Sequence, residues 1–402
     1  MSRSPALPHR TEQKGVSTLE LFFDLVFVLA IAQVTLLMSH HPTWEGLAQG
    51  VVVLGLLWWG WVGYSWLTSV VNPEHLSVRL PLFGAMSGFA VAAMAVPTAF
   101  EKTGVVFVCA YALVSFGQVA LMYVAGRDHA PMRRSTGGLA VGAALSTTLL
   151  ALGLVLGDRQ LEFWLAGLLL YVAVPLIFGS EGWLLTPTHF TERHSLIVIV
   201  ALGESIIAVG AGATHPERLG EITVVFAGTL IAFCLWWVYF DVLSIVAEHR
   251  LEAAEPGRVQ NELARDAYSY LHFPMIAGIV LGALGLKKAI AHVDQPLEPF
   301  GAVALLGGFA LYLLGLAAFG WRATGRIAWD SVALAVASLL GILVATRPDA
   351  LVAVLLVALA AVLLVLYKAV HFSAGRLRVR RRAHMLSDDA SSDGAVDVGS
   401  EN

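Results

Sequence analysis

Charge is what this sequence has least of. Only 13% of its 402 residues are Asp, Glu, Lys or Arg, where a soluble domain carries about 25%. Against 57% hydrophobic residues and a mean hydropathy of +0.75, so little charge excludes a water-soluble globule: the chain cannot cover that much apolar surface. Cysteine is almost missing too. The two present, Cys109 and Cys234, both lie inside apolar runs, which excludes a disulfide framework and a paired thiolate metal site. No small-residue cleavage site follows the first apolar run, so that run reads as a span rather than a removable signal. No alternating ten-residue pattern is present either, which excludes a membrane β-barrel. The net charge of −4 says nothing of partners, since the charges fall in loops and tails, and nothing points to nucleic acid.

Long apolar runs are what remains. Runs of about 20 residues, enough to cross hydrocarbon as helix, fall at approximately 19–39, 46–70, 80–99, 104–125, 137–157, 161–180, 193–213, 221–244, 267–288, 298–319, 327–346 and 350–370. The expected fold is all-α, a polytopic transmembrane bundle of about twelve spans. With the N-terminus inside, 19 of the 25 Lys and Arg lie on the cytoplasmic side, leaving Lys102, Arg159, Arg218, Lys287, Lys288 and Arg347 outside. That bias predicts a multi-pass plasma-membrane protein with both termini cytoplasmic. Residues 1–16 form an N-terminal tail. Residues 371–402 form a second tail, basic at Arg376, Arg378, Arg380, Arg381 and Arg382, then acidic and too polar to fold. The arginines anchor topology and suit anionic lipid headgroups.

The two halves, 17–180 and 190–370, resemble each other. "LLWWGWVGYSW" matches "FCLWWVYFDVL", pairing Trp58 with Trp236 and Trp59 with Trp237; Pro81 falls opposite Pro274, and Glu20 opposite Glu192. An offset of six spans predicts two parallel six-helix repeats, an arrangement that commonly puts a binding site or pore at the repeat interface.

The polar residues inside the spans are the candidate site. Glu20 and Asp24 are one helical turn apart at the start of "LELFFDLVFVLAIAQV", and a carboxylate in hydrocarbon costs several kcal/mol unless it faces a partner, water or an ion. His194 and Ser205 share a face of the seventh span, Asp241 ends the eighth and His272 opens the ninth. Glu204 is ten residues beyond His194, about 15 Å deeper, near the midplane. The expectation is an ion, proton or solute path lined by Glu20, Asp24, His194, Glu204, Ser205, Asp241 and His272, with Glu204 central and no Lys or Arg at its depth.

"ELFFDLVFVLAIAQ", "HFTERHSLIVIVALGES", "YLHFPMIAGIV" and "WWVYFD" together resemble the signature stretches of the bacterial low temperature requirement A family over nearly the whole span region. The family is defined by cold growth, so the resemblance implies a membrane protein and no particular chemistry. Phe22-Phe23-Asp24 is also similar to the Phe-Ser-Asp of the endolysosomal potassium channels. This chain lacks the serine, and Thr18 stands where those have an arginine, which speaks against potassium selectivity. The reading is a transporter or channel for a small ion, proton or solute, with a non-catalytic structural or regulatory membrane protein and a membrane-embedded enzyme as alternatives. Against an enzyme, the sequence has no H-E-x-x-H and no nucleophile elbow; His189, Glu192 and His194 come nearest, with His189 expected in a loop. No cofactor or metal is expected, and self-association stays open.

Overall fold

A computed structural model describes residues 15–371 apart from 180, 181, 184 and 216. The C-terminal arginines and most of the N-terminal tail lie outside these residues. Among the described residues, ten helical stretches are long and apolar enough to cross a membrane. In chain order the helices are α1 (Thr18–His40), α2 (Trp44–Val70), α3 (Leu76–Ala95), α4 (Gly104–Ala125), α5 (Ala130–Leu156), α6 (Gln160–Ile177), α7 (Pro187–Gly212), α8 (Leu219–Phe240) and the short α9 (Leu243–Glu252) and α10 (Arg258–Leu263). They continue with α11 (His272–Ala291), the one-turn α12 (Pro299–Ala302), α13 (Gly308–Thr324), α14 (Trp329–Ala345) and α15 (Ala350–His371).

One of the ten stretches, Ala130–Ile177, is 48 residues long, about 72 Å if straight and more than twice the hydrocarbon thickness. It is a hairpin. Gly157 turns it with φ +53°, a conformation that suits glycine. Gly138 faces Phe178, Gly142 faces Val174 and Gly153 faces Trp164, an antiparallel register in which the missing side chains let α5 and α6 close on each other. Counting the hairpin twice and adding the 17-residue α14 accounts for each of the twelve apolar runs. Several boundaries differ from hydropathy. α5 starts seven residues before its apolar run and carries Arg133 and Arg134 in its first turns, and α7 starts at Pro187. Helix geometry there continues past the apolar segment because polar side chains are satisfied by protein or by the interface.

Within the first half α1 packs on α2 and α3, α3 on α4, α4 on α5, and α2 on α6; in the second, α7 packs on α8 and α11, α11 on α13, α13 on α14, and α8 on α15. The halves meet where α1 and α2 lie against α7 and α11. α7 and α11 run side by side in one direction: the His194 and His272 rings lie 5.5 Å apart near their starts, and Gly212 faces Ile290 and Lys287 near their ends. α11 and α13 cross at backbone distance, since a Cβ on Gly278 would strike Gly308 and Tyr312, and one on Gly308 would strike Gly282. Two π-helical segments, Ala264–Tyr270 and Val303–Gly307, precede α11 and α13; single π turns inside helices frequently mark functional sites.

Candidate functional site

The junction of the halves is polar. Glu20, the third residue of α1, closes a capping box with Ser17: its Oε2 accepts from the Ser17 amide at 2.9 Å and hydroxyl at 2.8 Å. Glu192 of α7 takes the neighbouring Val16 amide at 2.8 Å, so two carboxylates hold the positive end of α1. The other Glu20 oxygen lies 2.8 Å from Nε2 of His189 and 3.5 Å from the Arg193 guanidinium. One turn on, Asp24 Oδ1 accepts from Arg193 at 2.6 Å and from the Trp61 indole at 2.8 Å. Arg193 also donates to Thr68 Oγ1 at 3.1 Å and lies against the faces of Phe23 and Trp61. Glu20, Asp24, His189 and Arg193 are each at most 1% exposed.

Such burial is tolerable only because each charge has a partner. Arg193 occupies the second turn of α7, where it reaches both acids of α1, which are themselves one turn apart and share a face. α2 runs antiparallel alongside and adds Trp61, Thr68 and Ser69. The Ser69 hydroxyl donates to the Ser65 carbonyl at 3.0 Å and turns its lone pair to His189 Nδ1 at 3.4 Å.

A second group adjoins this one. His194 Nδ1 donates to the Phe190 carbonyl at 2.9 Å, and its ring is packed among Trp58, Trp61, Phe190, Tyr268 and His272. His272 Nδ1 donates to the Ala267 carbonyl at 3.1 Å, and its Nε2 accepts from the Tyr239 hydroxyl at 2.9 Å. Among the described residues, Asp24 Oδ2, Arg193 Nε and His194 Nε2 are buried with no hydrogen-bond partner, and native interiors seldom leave such atoms unserved.

The structure thus joins Glu20, Asp24, His194 and His272, and reading the sequence missed their connectors. Arg193 was counted as a cytoplasmic charge and is a buried ion-pair member; His189 was expected in a loop and lies in the first turn of α7. A signal for Glu20 was present in Ser17-x-x-Glu20 ahead of an apolar run, the capping-box pattern. From α8 the group that reaches His272 is Tyr239, while Asp241 sits partly buried at the end of that helix. Glu204 stands apart, buried about three turns beyond His194 along α7, and among the described residues no donor hydrogen-bonds its carboxylate. Lys287 of the parallel α11 packs beside Gly212, about two turns beyond Glu204 along α7. Ser205 donates to the Leu202 carbonyl at 2.6 Å and borders a void of about 30 Å³ with Gly228, Gly278 and Gly282. A second void of about 30 Å³ lies between Trp59, Trp66, Gln118 and Tyr171. Each holds little more than a water.

The model of the bacterial low temperature requirement A protein family matches residues 15–367. An uncharacterized protein of Rhizobium meliloti (strain 1021) is 31% identical over 321 residues, covering 76% of this chain and 77% of its own. No solved structure matches the chain.

Proposed function

Because the chain belongs to the bacterial low temperature requirement A family, a family of polytopic membrane proteins on the evidence of its helices here, we propose that it moves a small ion or solute across the membrane in step with a proton held at the junction of its two halves. The carrying observation is the charge balance of the buried cluster. Two carboxylates and one guanidinium leave one negative charge at full ionisation, and one proton on His189 brings the sum to zero. The hydrogen bonds accommodate it: Glu20 Oε1 accepts at Nε2, and the Ser69 lone pair faces Nδ1. A site whose neutrality turns on a single proton, between two packed halves, can couple protonation to their rearrangement. Glu204, further along α7, is a third carboxylate of the path.

The matching packing order of the halves supports a parallel repeat, although Trp58 is buried and hydrogen-bonded while Trp236 is 37% exposed. The lysine and arginine bias supports cytoplasmic termini.

Purified protein in liposomes with an entrapped pH dye tests the coupling against a panel of ions and imposed pH gradients. Wild type is expected to move protons with one class of ion or solute; His189→Gln and Glu204→Gln are expected to lose the pH dependence while remaining monodisperse and folded. Wild-type behaviour in both variants, or no flux with any panel member, overturns the reading. The water-sized core voids favour a second one, a membrane protein with a structural or regulatory role and no turnover, and a flux-free result would select it.

A further inference from the structure

A cavity of about 730 Å³ opens at the end of the bundle where α5 begins and α6 finishes, lined by none of the buried cluster's side chains. Its walls differ in chemistry. Arg134 and Ser135 come from the first turns of α5, Arg258 and Glu262 from α10, and Arg265 from the π segment that follows; Leu176, Ile177 and Phe178 form the opposite wall. Two of the three arginines have companions. Arg265 is anchored by Asp266 at 2.7 Å, an acid it shares with Arg322, and Arg258 forms an exposed pair with Glu262 at 2.8 Å. That exposed pair holds little of the arginine's field. Arg134 has no ion pair among the described residues, so the cavity keeps net positive charge.

The apolar wall identifies the surroundings. Leu176, Ile177 and Phe178 are 58%, 71% and 48% exposed. On a membrane-embedded chain, exposed apolar side chains at a helix end face acyl chains just below the headgroup layer. A volume of this size lies within the range of about 300–1,000 Å³ that takes small ligands. We infer that this cavity binds the phosphate of an anionic phospholipid, with Arg134, Arg258 and Arg265 around the headgroup and the acyl chains running along Leu176 to Phe178. Forked guanidinium donors suit a tetrahedral phosphate oxyanion, and the adjoining apolar strip suits a lipid more than a soluble phosphate. The inference is independent of any transport activity.

Native mass spectrometry of the detergent-purified chain, titrated with phosphatidylglycerol or phosphatidylcholine, tests it. One tightly retained phosphatidylglycerol per chain is expected, with phosphatidylcholine bound more weakly. Arg134→Gln/Arg258→Gln should lower the apparent affinity for phosphatidylglycerol about tenfold or more. Arg127→Gln/Arg133→Gln, which removes equal charge from the same end outside the cavity, should change it little. Arg133, Arg134 and Arg258 are exposed and Arg127 is partly buried at the interface end of α4, so folding is expected to survive; a thermal melt checks that. Equal loss in the two double variants, or no preference over phosphatidylcholine, overturns the inference. Protection by inorganic phosphate without any lipid retention keeps the oxyanion site and overturns the lipid as its source.

Discussion

At the scale of single residues, Arg193 is the most exacting position in the chain. It holds Glu20 and Asp24 together from another helix, 173 and 169 residues away in sequence, so its removal leaves two carboxylates in a dry site. Breaking a buried pair from one side costs about 3–5 kcal/mol. Arg193→Gln is therefore expected to reduce folded protein sharply, by fluorescence-detected size exclusion and thermal melting. Adding Asp24→Asn should recover part of the loss, because the double variant has one fewer unpaired charge; strict additivity of the two substitutions would show that they do not interact. The acids of this site were legible in the sequence, since Glu20 and Asp24 interrupt hydrocarbon. Their arginine was not. It precedes the hydrophobic core of its span, where basic residues ordinarily mark a cytoplasmic edge, and only the folded packing of α7 on α1 distinguishes a buried cation from a topological one.

At the scale of helices, what hydropathy misses is how closely pairs approach. Apolar runs located every span, but the α11 and α13 crossing is set by glycine, with Gly278, Gly282 and Gly308 bringing backbone against backbone. In lipid such proximity supplies the van der Waals contact that hydrophobicity cannot, since acyl chains are as apolar as leucine. Gly308→Val places a branched side chain against the Gly282 backbone and is expected to destabilise the purified protein by about 1–3 kcal/mol or more, read as a lower melting temperature. Gly203→Ala serves as the comparison, because nothing lies within 4 Å of a Cβ there; an equal drop in both would mean that the crossing is not the cause. The π segment Ala264–Tyr270 was also invisible beforehand. It presents Ser269, whose carbonyl accepts from Trp58 at 2.9 Å and whose hydroxyl accepts from Trp66 at 3.0 Å, and no periodicity marks a one-residue expansion of a helix.

For the whole molecule, the repeat and the orientation rest on different signals. The repeat, a proposal, rests on the Trp-Trp and Pro registers. Orientation still rests on charge, and with Arg193 buried the bias draws on arginines at exposed helix starts such as Arg133 and Arg258. Single cysteines introduced near either, in a background lacking Cys109 and Cys234, are expected to resist a membrane-impermeant maleimide added to intact cells and to react once the membrane is opened. Labelling from outside would invert the map.

The 169 residues between Asp24 and Arg193 also order events in time. A ribosome adding about 5–20 residues per second takes roughly 10–30 s to cover that distance. Throughout that interval α1 exists without its arginine, and α2 exists with the Trp58 and Trp66 indoles still waiting for Ser269. The first half is therefore laid into the bilayer as an open circuit, which α7 and then the π segment bearing Ser269 close. A chain lacking Arg193 would be held at a stage that every nascent chain passes through.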